Sequence, residues 1–192
     1  FFIGLPHGSF DGAVASLVGF KTKSQFLWFL ILYILLFFCV ILFWLQFPII
    51  SLFIFLTMTV FHFGLSDWTN FNIKKHKYSI SLTYGMTIIF GIIFFNETQS
   101  FQIFEYLTNS KIYNFRIYFV VPYLLTLFLI LYFIYLSFNE PKLRIGIIEI
   151  LFLLMIFYIF DPLLSFTVYF CFFHTYKHLK HLVSNVYLYL PN

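Results

Sequence analysis

Charge is what this sequence has least of. Asp, Glu, Lys and Arg together make 9% of its 192 residues, where an ordinary soluble domain carries roughly a quarter. That excludes a chain whose surface is solvated all round. The basic excess is only +4 and is scattered in ones to threes, which excludes a nucleic-acid groove. Cysteine is limited to Cys39 and Cys171, both inside apolar runs. Neither a disulfide framework nor a zinc knuckle fits that placement, and both read as small hydrophobes. No basic head followed by a cleavable apolar segment opens the chain, so no signal peptide is expected.

What is present is apolar and aromatic. Hydrophobic residues make 62% of the chain and its mean hydropathy is +0.95. A fully helical chain of this length would cross a 30 Å hydrocarbon layer at most about nine times, and loops reduce that to six or seven. The expected fold is therefore all-α, a polytopic transmembrane bundle of six to seven segments forming one membrane-embedded domain over 1–192. The segments run over 1–20, 25–47, 48–65, 80–95, 118–138 and 145–160, with a last helix from Leu163 through His174 and His178. Pro48 fits a helix start, Asn139 to Lys142 form a turn, and Asp161 with Pro162 breaks the sixth segment from the last. The stretch 96–115 is the one long polar connection, readable as a loop or as a re-entrant or interfacial piece.

Threading these segments back and forth sorts the charges. Nine of the eleven basic residues, Lys21, Lys23, Lys74, Lys75, Lys77, Lys142, Arg144, Lys177 and Lys180, fall on one side, and only Lys111 and Arg116 on the other. By the positive-inside tendency the Lys-rich loops are expected in the cytoplasm and the protein in the plasma membrane.

Several polar side chains fall inside or at the rims of these segments: His7, Asp11, His62, Asp67, His174 and His178. One isolated His reads as a hydrogen-bonded helix contact, but several together mark a path or a site. His174 and His178 are four apart, so on an α-helix they share a face. Asp11 lies one turn beyond His7 and can orient a ligating imidazole. Asp67, five beyond His62, either serves another helix or faces water. Imidazole suits iron, copper, nickel and zinc, and nothing in spacing chooses among them. His76 and His181 sit beside lysines and are expected to face water or headgroups. Glu149 is expected to reach the interface or to pair with Arg144. By distance from the basic loops His7 lies deep and His178 near the rim, so either the first segment bends at its glycines or the last helix begins deeper and runs on towards Leu190, with Lys177 and Lys180 snorkelling.

Three polar islands carry a resemblance. Gly4-Leu5-Pro6-His7-Gly8-Ser9-Phe10-Asp11, Phe61-His62-Phe63-Gly64-Leu65-Ser66-Asp67 and Tyr169-Phe170-Cys171-Phe172-Phe173-His174-Thr175-Tyr176-Lys177-His178 resemble, in order and wide separation, the motifs of the Brp/Blh family of membrane beta-carotene 15,15'-dioxygenases. The resemblance implies a helical membrane enzyme that uses non-haem Fe(II) and dioxygen to split beta-carotene at its central double bond into two molecules of retinal. It implies His7, His62, His174 and His178 as the iron ligands, which are also the catalytic residues, with Asp11 and Asp67 behind them. A microbial rhodopsin is implied as the recipient of the retinal. Family members normally carry further membrane sequence on both sides of these motifs, so the chain is expected to be incomplete at both ends. The alternative reading is a non-catalytic carotenoid-binding or retinal-supply accessory membrane protein.

Overall fold

A computed structural model describes residues 19–20, 22–68, 75–111 and 116–177, and among these every regular element is a helix. Helix α1, Lys23–Gln46, starts from a reciprocal cap. The Thr22 hydroxyl accepts from the Gln25 N–H at 3.2 Å, and the Gln25 side chain accepts from the Thr22 N–H at 3.1 Å. It stops at Phe47 because a residue preceding proline is driven out of the α region. Pro48 then opens α2, Pro48–Trp68, since its missing N–H costs nothing in a first turn. Next come α3, Lys77–Phe95, α4, Glu97–Thr108, α5, Ile117–Asn139, and α6, Leu143–Ile159. Asp161 caps α7, Pro162–Val168, by accepting from the N–H groups of Leu163 and Leu164 at 3.0 Å each. A π-helical stretch, Tyr169–His174, continues it.

Four of the described helices are long and apolar enough to cross a membrane: Lys23–Gln46, Pro48–Asp67, Lys77–Phe95 and Ile117–Asn139. The expected six to seven spans are not matched. The expected segment 1–20 falls almost wholly outside the described residues, as does the end of the chain from His178 to Asn192. Helix α6 has 17 residues, about 26 Å at 1.5 Å per residue, short of a hydrocarbon layer. The 96–115 stretch is also settled in kind. It contains α4, an amphipathic helix that buries Ser100, Phe101, Phe104 and Thr108 and exposes Gln102 and Tyr106.

Helix α3 is the centre, buried along most of its length from Ile80 to Ile93. Helix α1 lies at the edge against α2 and buries none of its side chains, as suits a helix whose solvent is lipid. At one end of the bundle, α4 ties neighbours together. The Trp44 indole donates to the Leu107 carbonyl at 3.1 Å, and Arg116 grips Glu97 with both arms of its guanidinium. Phe119 fills the core there, its ring 5.0 Å from that of Phe101. At the other end His76, in left-handed backbone with φ 64°, places its Nδ1 3.4 Å from the Tyr132 hydroxyl. It is half-buried there, not wholly in water.

Lipid tails are as apolar as leucine, so helices in a membrane associate through close packing and small residues. The tightest approach joins α2 to α3. A Cβ on Gly64 would run into the backbone carbonyl of Ser81, and one on Gly85 into that of Val60. The contact is reciprocal, with residues four apart on each helix, so the backbones themselves are the packing surface. At Gly91 a Cβ would meet only side chains, the Phe157 ring at 3.1 Å and Leu154 at 3.5 Å, and a side chain can yield where a carbonyl cannot. Gly85→Ala is therefore expected to destabilise the bundle by about 1–3 kcal/mol, as overpacking does, and Gly91→Ala by less. Unfolding midpoints of the two variants in detergent check the order.

Candidate functional site

The second and third islands come together between α2 and the π-helical stretch. The rings of His62 and His174 lie with centroids 5.3 Å apart. Phe63 stands edge-on to His174 at 4.7 Å, and Phe170 stacks against it at 5.7 Å. His174 is fully buried, whereas His62 is exposed among the described residues. The surroundings of His174 are thus aromatic.

Asp67 is the anchor. It is fully buried and serves another helix, one of the two outcomes its sequence position left open. His174 faces its Oδ1 through Nδ1 at 3.4 Å, and the Tyr169 hydroxyl donates to Oδ2 at 3.2 Å. An ionised carboxylate only accepts, so in this contact Nδ1 of His174 is the donor. The π-helical backbone is what lets both residues reach one carboxylate. Five residues along an α-helix are about 140° apart, but with i→i+5 bonding Tyr169 and His174 return to one face. The Thr175 N–H bonding to the Phe170 carbonyl is one such bond.

A second carboxylate completes the cluster. Glu149 of α6 pairs with Lys177, and Lys177 also reaches Asp67 Oδ2 at 3.4 Å. The Tyr84 hydroxyl of α3 lies 3.4 Å from Glu149 Oε2 and 3.3 Å from the Gly146 carbonyl, beneath the Lys177 ammonium. One expectation is corrected here: Glu149 pairs with Lys177 and not with Arg144, and the Lys177 side chain, only 13% exposed, turns into the bundle. Buried carboxylates draw the ammonium inward because an unpaired charge in this surrounding costs several kcal/mol. Nothing in the sequence points to Tyr84, and Tyr169 falls within the third island without any role being read for it. Lys177 and Glu149, 28 residues apart, become partners only through the packing of the last helix on α6.

His7, Asp11, His178 and His181 lie outside the described residues. Among the described residues no three or more His, Cys, Asp and Glu side chains gather as a metal-holding group.

A family model described as beta-carotene 15,15'-dioxygenase matches residues 1–189. The chain belongs to the beta-carotene 15,15'-dioxygenase family. The beta-carotene 15,15'-dioxygenase of the uncultured marine bacterium 66A03 is 28% identical over 188 residues, a match covering 92% of this chain and 64% of that protein. The chain therefore spans less than two thirds of the length of this curated relative. No solved structure matches. Membership in the dioxygenase family supports an enzymatic role in general, in a protein whose long apolar helices suit a multi-pass membrane setting.

The Lys177–Asp67 and Arg116–Glu97 ion pairs differ in burial and are expected to differ in worth. Asp67→Ala removes the buried acceptor of His174 and Tyr169 and leaves Lys177 with Glu149 alone, and should cost about 1–3 kcal/mol. Glu97→Ala breaks a pair whose Arg116 side chain is 52% exposed and should cost at most about 1 kcal/mol. Equilibrium unfolding in mixed micelles measures both.

Proposed function

We propose that this chain carries the active centre of an oxygen-dependent enzyme that cleaves beta-carotene at its central double bond into two molecules of retinal. In this reading His7, His62, His174 and His178 hold Fe(II), and Asp11 and Asp67 orient ligands from behind. The observation that carries the proposal is the meeting of His62 and His174 over the buried Asp67 in a chain of this family. Six or seven membrane segments, plasma-membrane placement with the Lys-rich loops in the cytoplasm, and a microbial rhodopsin receiving the retinal belong to the same proposal.

The donor set suits iron. Neutral imidazoles are good ligands for it, and a carboxylate on Nδ1 fixes the tautomer that presents Nε2 and raises its basicity. Bound Fe(II) would supply the redox centre at which dioxygen becomes reactive toward the polyene. Everything else falls to side chains of the chain. Phe63, Tyr169 and Phe170 wall His174 from water, which protects a reactive site from side reactions. His62, on the exposed side, faces the direction from which a very apolar substrate arrives through lipid. Both atoms of one dioxygen end in the two aldehydes, so the overall reaction balances with no proton donor or acceptor, and no general base is assigned.

His62→Ala and His174→Ala are each expected to abolish bound iron and retinal formation together. Asp11→Asn is expected to keep the fold and lower activity about 10- to 100-fold, the usual scale for a residue behind a ligand. His76→Ala is expected to leave both readouts unchanged. Iron content and retinal yield, measured on the same purified protein and normalised to it, decide the matter. Loss of iron in His76→Ala with retention in His62→Ala overturns the assignment.

A further inference from the structure

The polar cluster continues past Asp67, and its far half has no part in the ligand set just proposed. Lys177 stands three residues beyond His174, yet its ammonium turns back into the bundle. It bonds Glu149 of α6, reaches Asp67 of α2 at 3.4 Å and lies 5.3 Å above the Tyr84 ring of α3. Glu149 is held in turn by the Tyr84 hydroxyl at 3.4 Å. Three helices and the terminal stretch thus meet on one ammonium.

Resting on the functional reading above, we infer that Lys177, braced by Glu149, is a positioning residue that sets the Asp67 carboxylate against Nδ1 of His174 and so fixes which ring nitrogen of His174 faces the metal. The geometry gives the reason. Asp67 divides its two oxygens, Oδ1 toward His174 and Oδ2 toward Tyr169 and Lys177. A carboxylate free to turn about its Cβ–Cγ bond would present either oxygen, or neither, to the imidazole. The ammonium and the phenol together hold Oδ2, which leaves Oδ1 aimed at Nδ1. Glu149 keeps the ammonium from swinging toward the membrane surface, the default for a lysine near a helix end. The phenol bonds the same oxygen at 3.2 Å, and the ammonium adds a full opposite charge to that hold.

A lysine that only held helices together would affect folding and leave the imidazole alone. The test therefore reads the ring directly, using purified protein with Lys177→Met, Lys177→Arg, Glu149→Gln and His174→Ala. Nitrogen-15 NMR of the histidine rings in metal-free protein reports which nitrogen carries the proton, with His174 assigned by its loss in His174→Ala. Competition against a chelator reports Fe(II) affinity. The expected result is an Nδ1-protonated His174 in the parent protein, a mixture of tautomers in Lys177→Met, and an affinity for Fe(II) about 10- to 100-fold weaker. Glu149→Gln should shift both readouts in the same direction, and Lys177→Arg, which keeps the charge, should recover most of the loss. If Lys177→Met fails to fold, Glu149→Gln against Lys177→Arg decides. Parent-like tautomer and affinity in Lys177→Met and Glu149→Gln, with iron lost in His174→Ala, overturn the inference and leave the functional reading standing. Iron retained in His174→Ala overturns both.

Discussion

The backbone contact between α2 and α3 is the constraint on which the arrangement depends. With Gly64 against Ser81 and Gly85 against Val60, the two helices approach as closely as their chains permit, and their rotation about that point is fixed. Asp67 lies three residues beyond Gly64 and Tyr84 next to Gly85, so the same contact sets where both polar groups enter the bundle. A Cβ at either glycine would separate the helices and carry Asp67 away from the terminal stretch that it receives. Gly64 thus belongs to the second polar island for a packing reason, lying between His62 and Asp67 and allowing both to point where they do.

The π-helical stretch answers that placement from the other side. An α-helix through Tyr169–His174 would present one of those residues to Asp67 and turn the other away. The wider turn presents both. Such stretches are uncommon and sit often at functional positions, and here the gain is visible in two bonds on one carboxylate. Asp161, the capping residue, and Pro162 start the helix at a definite point, so the position of the wide turn relative to α2 is set by a local signal a few residues upstream.

Much of this was legible in the sequence and some of it was not, for physical reasons. Long uncharged runs and prolines located α1, α2, α5 and the break at Asp161, because periodicity hardly matters to a helix apolar all round and only length and punctuation count. The membrane count was less readable. Helix α6 is apolar but short, and the composition around α4 left a loop and a re-entrant or interfacial piece equally open, where the structure has an amphipathic helix. The meeting of His62 with His174 was expected only as part of a four-histidine set, from membrane-placed polar residues together with the family resemblance, and His7 and His178 lie outside the described residues. Glu149 was misread because it was judged against its own sequence neighbours. Arg144 and the nearest headgroups are closer along the chain, but a buried carboxylate takes its partner from whichever helix packs beside it.

That last point joins stability to the proposed chemistry. In lipid, apolar packing distinguishes poorly between one helix arrangement and another, since the tails offer contacts nearly as good as a neighbouring helix. A charged group discriminates strongly, because few positions in the bundle satisfy it. Asp67, Glu149 and Lys177 are fully or nearly buried and come from α2, α6 and the terminal stretch, with Tyr84 adding α3. Only an arrangement that brings all four elements to one place satisfies them together. The ionic cluster that selects the packing of the bundle therefore also holds the imidazole of His174 in register with that of His62, so the fold is most strictly specified at the place where a metal site would need it to be.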